Sequence, residues 1–144
     1  MDPKTLILDA LRSHEYTQCQ SMLRCPDSEP SYCAMGVIID TYIKHHLADG
    51  VDHDEAWLWF DGYEFLPRAV IEWAFGPKKT RTLGDQTQGS LYVENPTADY
   101  PGSEDGHWPD EACVAEFNDS DGLNFKEIAT ILEAEWDNLV VFPY

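Results

Sequence analysis

Cys33, His107 and Asn118 stand in the chain in the order nucleophile, base and orienting amide that thiol hydrolysis requires. Cys33 lies near the first turn of a helical pattern, where the helix dipole favours the attacking thiolate. The same thiol is one helical turn from Val37 and so shares an apolar stripe. Its other reading, and the preferred one, is a buried core thiol.

Metal chemistry is the next test. The stretch EFNDSDGLNFKEIATIL, residues 116 to 132, has the look of a calcium loop. With Gly122 at the invariant glycine position, Asp119 and Asp121 fall on ligand positions, but Phe117 and Ile128 occupy the first and last. A loop without its first carboxylate and its final bidentate glutamate lacks the dominant ligands. Asn124 and Glu127 instead have the spacing of a capping box, with Gly122 supplying a turn and the two aspartates beside the positive helix end. Cys19, Cys25 and Cys33 with His45 or His46 lack the tight pairs of a zinc site. His45, His46, Asp49, Asp52, His53, Asp54 and Glu55 read as a solvated helix end. No metal or other cofactor is expected.

The concentrated positive charge is Lys78, Lys79 and Arg81 in GPKKTRT, a candidate site for the phosphate of a small nucleotide signal. Trp57 and Trp59, in WLWFDGYEF, could supply stacking rings, although that run serves equally as core. Gly36, flanked by Met35 and Val37, is read as a site of close helix packing.

Bulk charge points elsewhere. With 27 acids against nine Lys and Arg, the 144-residue chain carries a formal charge of −18. That excludes direct binding to a phosphate backbone, which relies on Lys and Arg to displace counterions. Between Arg81 and Lys126 the chain holds no Lys or Arg, while Glu94, Asp99, Glu104, Asp105, Asp110, Glu111, Glu116, Asp119 and Asp121 fall there. A field of one sign steers a basic partner toward it.

The elements that must position these groups follow from pattern. Asp2 caps a helix that begins at Pro3, with Ile7, Ala10 and Leu11 on its apolar stripe. Residues 25 to 30 form a turn-rich loop, and a second helix runs from about Ser31 to His46, stopped by Asp49-Gly50. Trp57 to Phe60 is too short to classify. Leu66-Pro67 opens a third helix that ends at Gly76-Pro77. From Lys78 to Pro109 the chain is irregular, with a strand at Ser90 to Val93 and room for a short hairpin. A short helix from Pro109 to Phe117, a longer one from Phe125 to about Leu139, and a packed apolar tail complete the chain. The 43% hydrophobic content excludes a disordered chain, and no stretch approaches the ~18 apolar residues of a membrane span. The N-terminus lacks signal-peptide features, so a cytoplasmic location with free thiols is expected.

Three motifs carry a resemblance. Ala10-Leu11-Arg12-Ser13-His14-Glu15-Tyr16, Cys33-Ala34-Met35-Gly36-Val37, and Asn118-Asp119 through Phe125 and Ala129 resemble a widespread family of small phage and bacterial proteins of uncharacterised function. Asn124 replaces that family's usual Ser or Thr, and the match covers about a third of the chain. The resemblance implies a mobile-element or phage origin and an intracellular role, with an acidic chain imitating the charge of nucleic acid to disable a host factor.

The expected fold is a single mainly helical α+β domain, its core joining the first helix, the Cys33 helix and the Phe125 helix. The expected function is non-enzymatic: a cytoplasmic protein that binds a basic surface of a host protein through its acidic face. The alternatives are a sequesterer of a small nucleotide signal and a cysteine-dependent hydrolase.

Overall fold

The computed structural model describes residues 2–20, 22–25, 29–46, 52–60, 63–94, 111–119 and 122–143, with the backbone alone for residues 81, 82, 94, 111, 112 and 119. Helix α1, Pro3–Arg12, starts as the sequence requires: Asp2 accepts the Thr5 N–H at 2.9 Å and Pro3 sits in the first turn. Its buried face is Ile7, Leu8 and Leu11.

Three two-residue strands follow: β1, Thr17–Gln18; β2, Arg24–Cys25; and β3, Ser31–Tyr32. The central strand is β3, parallel to β1 and antiparallel to β2. The expected helix start at Ser31 is therefore corrected. Ser31 and Tyr32 pair as strand, Cys33 is the cap, and helix α2 runs Ala34–His45.

Helix α2 is the axis of the domain. Every residue from Ala34 to Ile43 is buried, as expected of a helix surrounded on all sides. It packs against α1, against α3 (His53–Leu58) and against α4 (Arg68–Phe75). Gly36 is required where α2 meets the preceding segment: a Cβ there would lie 1.8 Å from the Leu23 carbonyl oxygen. Tyr42, Phe60 and Trp73 meet edge-on beside α2, giving its flank a stiff aromatic lining.

The second sheet lies toward the C-terminal half. Strand β5, Gln88–Glu94, pairs antiparallel with β7, Leu139–Pro143, along one edge, and with β4, Leu66–Pro67, and β6, Glu111–Cys113, along the other. The apolar tail thus packs as a strand, with Val141 opposite Leu91 in its core. Between β4 and β5, Gly76 at φ +89° ends α4 and a 3-10 segment spans Pro77–Leu83.

Helix α5, Val114–Asp119, follows β6 directly, so the expected Pro109–Phe117 helix begins later, after strand pairing. Helix α6, Phe125–Ala134, is shorter than the expected run to Leu139; Glu135 leaves helical geometry, a 3-10 turn spans Trp136–Asn138, and Leu139 enters β7. Its start matches the sequence reading. Asn124 accepts the Glu127 N–H at 2.8 Å, Glu127 accepts the Asn124 N–H at 3.1 Å, and Gly122 turns at φ +69°. Helix α1 packs on both α2 and α6, the core the sequence called for, in a mainly helical α+β fold.

Candidate functional site

The densest chemistry lies around Asp40, in the middle of α2 and 1% exposed. Its Oδ1 accepts the Trp57 indole N–H at 2.9 Å and joins the His53 Nε2; its Oδ2 accepts the Tyr16 hydroxyl at 2.5 Å and the Lys44 ammonium at 3.2 Å. Lys44 also donates to the Tyr16 oxygen at 3.0 Å and lies over its ring. Each partner has a local reason for its place. Lys44 is one turn along α2, His53 and Trp57 stand one turn apart on α3, and Tyr16 follows the αL residue His14 at the exit of α1.

Electrostatics locks this knot. Burial works to raise the Asp40 carboxyl, but the bonds from Tyr16, Trp57 and His53 and the charge of Lys44 outweigh it and hold it below the usual range. Burial, then the bond to Asp40 and its charge, push the Tyr16 hydroxyl far up, so it remains a donor. Both oxygens of the carboxylate are occupied, each by two donors. Asp40 is therefore a structural anion rather than a base with room for a substrate. Arg24 on β2 closes one side, stacked over Trp57 and Tyr32 and paired with Asp54 at 2.9 Å.

A second knot surrounds Asn118 at the end of α5, equally buried. Its Nδ2 donates to the Cys19 carbonyl at 2.8 Å, while its Oδ1 accepts from Gln18 Nε2 at 2.7 Å and from the Ala34 N–H at 3.2 Å. The Ala34 N–H is one of the donors left open at the start of α2. Cys33 stands next to it and caps the same helix end, its sulfur accepting the Gly36 N–H at 3.4 Å.

The sequence-derived candidates fall out as follows. Cys33 and Asn118 do come together, but through the Ala34 N–H, in structural roles at a buried helix start. His107 lies outside the described residues. Trp57 is core, with its N–H committed to Asp40, whereas Trp59 is 55% exposed. Of the cationic trio, the Lys79 ammonium donates to the Leu139 carbonyl and Lys78 is exposed, while the Arg81 side chain lies outside the described residues. Of the acidic candidates, Glu116 is an exposed residue of α5. Asp99, Glu104, Asp105, Asp110 and Asp121, and the side chains of Glu94, Glu111 and Asp119, lie outside the described residues.

Asp40 and its partners escaped the sequence reading. One signal was available: a carboxylate within the apolar run Val37 to Ile43 has to be paired if that run is buried. Nothing in the sequence pointed to Tyr16, His53 or Trp57 as the partners.

Fold and knots together define a small, acidic, mainly helical α+β domain organised around one buried helix. The chain belongs to a family described as a domain of unknown function, DUF8296, whose family model matches residues 2–136. No curated protein and no solved structure matches it. Among the described residues no helix is long and apolar enough to cross a membrane, and no cluster of three or more His, Cys, Asp or Glu side chains could hold a metal.

Proposed function

We propose that this protein is a non-enzymatic interaction protein of phage or mobile-element type, which binds a basic surface of a host protein through its acidic face. The observation that carries this reading is where the positive charge goes. Of the nine Lys and Arg residues, six engage partners within the chain. Arg12 pairs with Glu133, Arg24 with Asp54 and Lys44 with Asp40; Arg68 donates to the Gly84 and Gln86 carbonyls, Lys79 to the Leu139 carbonyl, and Lys4 lies over the Trp136 ring. Lys78 and Lys126 are exposed. Cations held against the fold leave the acids to set the outward field, and the longest stretch of sequence without Lys or Arg, between Arg81 and Lys126, carries the acids from Glu94 to Asp121.

Such binding is electrostatic and therefore salt-sensitive. The immobilised chain should capture a basic protein from bacterial lysate at about 0.1 M salt and release it at about 1 M, as the Debye length falls from about 10 Å to about 3 Å. Capture that survives the higher salt would overturn the reading. The engagement of Lys79 argues against the nucleotide alternative, and the buried, capping role of Cys33 against the hydrolase.

A further inference from the structure

Among the described residues three large apolar side chains stand exposed, and two of them are neighbours at the exit of α3: Leu58, 70% exposed, and Trp59, 55% exposed. They are not carried on a loose turn. The opposite side of α3 buries Ala56 and Trp57, with the Trp57 indole N–H fixed to Asp40 at 2.9 Å. The Trp59 N–H donates to the Ala56 carbonyl and the Phe60 N–H to the Trp57 carbonyl, both at 3.1 Å, and the Phe60 ring lies edge-on to Trp57, Tyr42 and Tyr63. A large exposed ring on a backbone already held in place loses little freedom on binding, which suits it to anchor a partner.

Charge surrounds the pair. Asp54 and Glu55 stand one turn before Leu58 and Trp59, and Asp52 caps the start of α3, all three exposed. Arg24 offsets Asp54, whereas among the described residues no cation pairs with Asp52 or Glu55. Two common occupants of an apolar patch fit such a rim poorly. A second copy would bring another chain of formal charge −18 against it, and an anionic lipid surface would repel it as well. A polypeptide with Lys or Arg beside large apolar side chains complements both the rings and the acids.

We propose that the face of α3 formed by Glu55, Leu58 and Trp59 docks a segment of a protein partner in which Lys or Arg alternates with large apolar side chains. The proposal rests on the reading of a basic protein partner given above and adds a defined contact to it. Burial of Leu58 and Trp59 supplies affinity at the centre, and the acids of the first turn select a cationic segment over a neutral one.

The test uses two labelled peptides as probes, one alternating Lys with Leu and Phe, the other with Ser in place of every Leu and Phe, and reads binding by fluorescence anisotropy at two salt concentrations. The first should bind the wild-type chain more tightly than the second, and the double substitution Leu58→Ala, Trp59→Ala should weaken the first about tenfold while leaving the second unchanged. That factor should be the same at both salt concentrations, since ring burial is not screened, whereas Glu55→Gln should reduce the salt dependence. Amide hydrogen exchange in the wild-type complex should slow across residues 53 to 59, which decides the matter even if a variant fails to fold. If neither peptide binds, the reading of a basic partner falls and this proposal with it. If both bind but the double variant holds the first as the wild type does, or the protection lies elsewhere, the proposal alone falls. Equally tight binding of a neutral Leu and Phe peptide, self-association that the double variant abolishes, or capture by phosphatidylglycerol vesicles would each name a different occupant and overturn it.

Discussion

Asp40 and Asn118 are buried to the same degree, and each ties distant segments to α2, yet they do so with opposite electrostatics. Asp40 is an anion in the middle of the helix, holding a hydroxyl, an ammonium, an imidazole and an indole. Asn118 is a neutral amide at the helix start, giving one hydrogen bond and receiving two, mostly with backbone groups. The neutral knot is satisfied by geometry alone. The charged knot is satisfied only while Asp40 is ionised, so the middle of the helix should answer to pH and its start should not.

The largest effect is expected at the charged knot. Asp40→Ala leaves the Tyr16 hydroxyl and the Trp57 indole N–H without their acceptor and Lys44 without its counter-ion, and should cost about 3–5 kcal/mol in urea unfolding. The pH dependence has a definite sign. The folded-state carboxyl of Asp40 is held below its ordinary value of 3.8, so its contribution is fully present above that pH and is lost as pH falls through the lower folded value. Wild-type stability should drop in that acid window, and Asp40→Asn should flatten the drop. An unchanged acid profile in the variant would show that the comparison with Asn118 has no electrostatic content.

Two substitutions probe the neutral end. Gly36→Ala should destabilise by about 3 kcal/mol, because the new Cβ meets the Leu23 backbone and no flexible side chain can move aside. Asn118→Ala comes next at about 1–3 kcal/mol, the cost of leaving the Cys19 carbonyl and Ala34 N–H unsatisfied, with no change in the acid profile. A thermal or urea series at two pH values separates this from the Asp40 effect. If Asn118→Ala proved as pH-sensitive as Asp40→Ala, the two knots would be one coupled network.

How far each knot was legible in the sequence follows from the range of its interactions. Local devices were: the Asp2 cap, the Asn124 and Glu127 box and the end of α4 at Gly76 each depend on neighbours within a turn, whereas Gly36, read as a helix-packing site, instead admits the Leu23 carbonyl of the segment before β2. The physics of the caps is contained in a few consecutive positions. Two element boundaries were not. Ser31 and Tyr32 have helix-compatible types but are claimed by pairing with Thr17, Gln18, Arg24 and Cys25, and Leu139 leaves the helical pattern to pair with Val93. Tertiary pairing overrides propensity at such edges. The Asp40 knot required knowing that residues 16, 40, 53 and 57 converge, which no local period encodes. Asn118 was singled out as a companion of Cys33, and the hydrogen bonds it makes beside Cys33 serve a helix start.

The smallest expected effect tests how redundant the charged knot is. His53 reaches Asp40 from a side chain that is 39% exposed, and it shares Oδ1 with the buried Trp57 indole. Removing it leaves that oxygen with a donor and opens the remaining lone pair to water, so the deficit of Asp40→Ala should not recur. His53→Ala should cost about 1 kcal/mol or less, in the range of exposed ion pairs. Trp57→Phe removes the other donor from the same oxygen at a buried position, where water cannot replace it, and should cost about 1–3 kcal/mol. The double variant then decides between two descriptions of the knot. A loss well beyond the sum of the singles in a double-mutant cycle would mean that the two donors compensate for one another and that Oδ1 needs only one of them. Additive losses would mean that each bond contributes independently, and that Asp40 differs from Asn118 in charge but not in the way its hydrogen bonds combine.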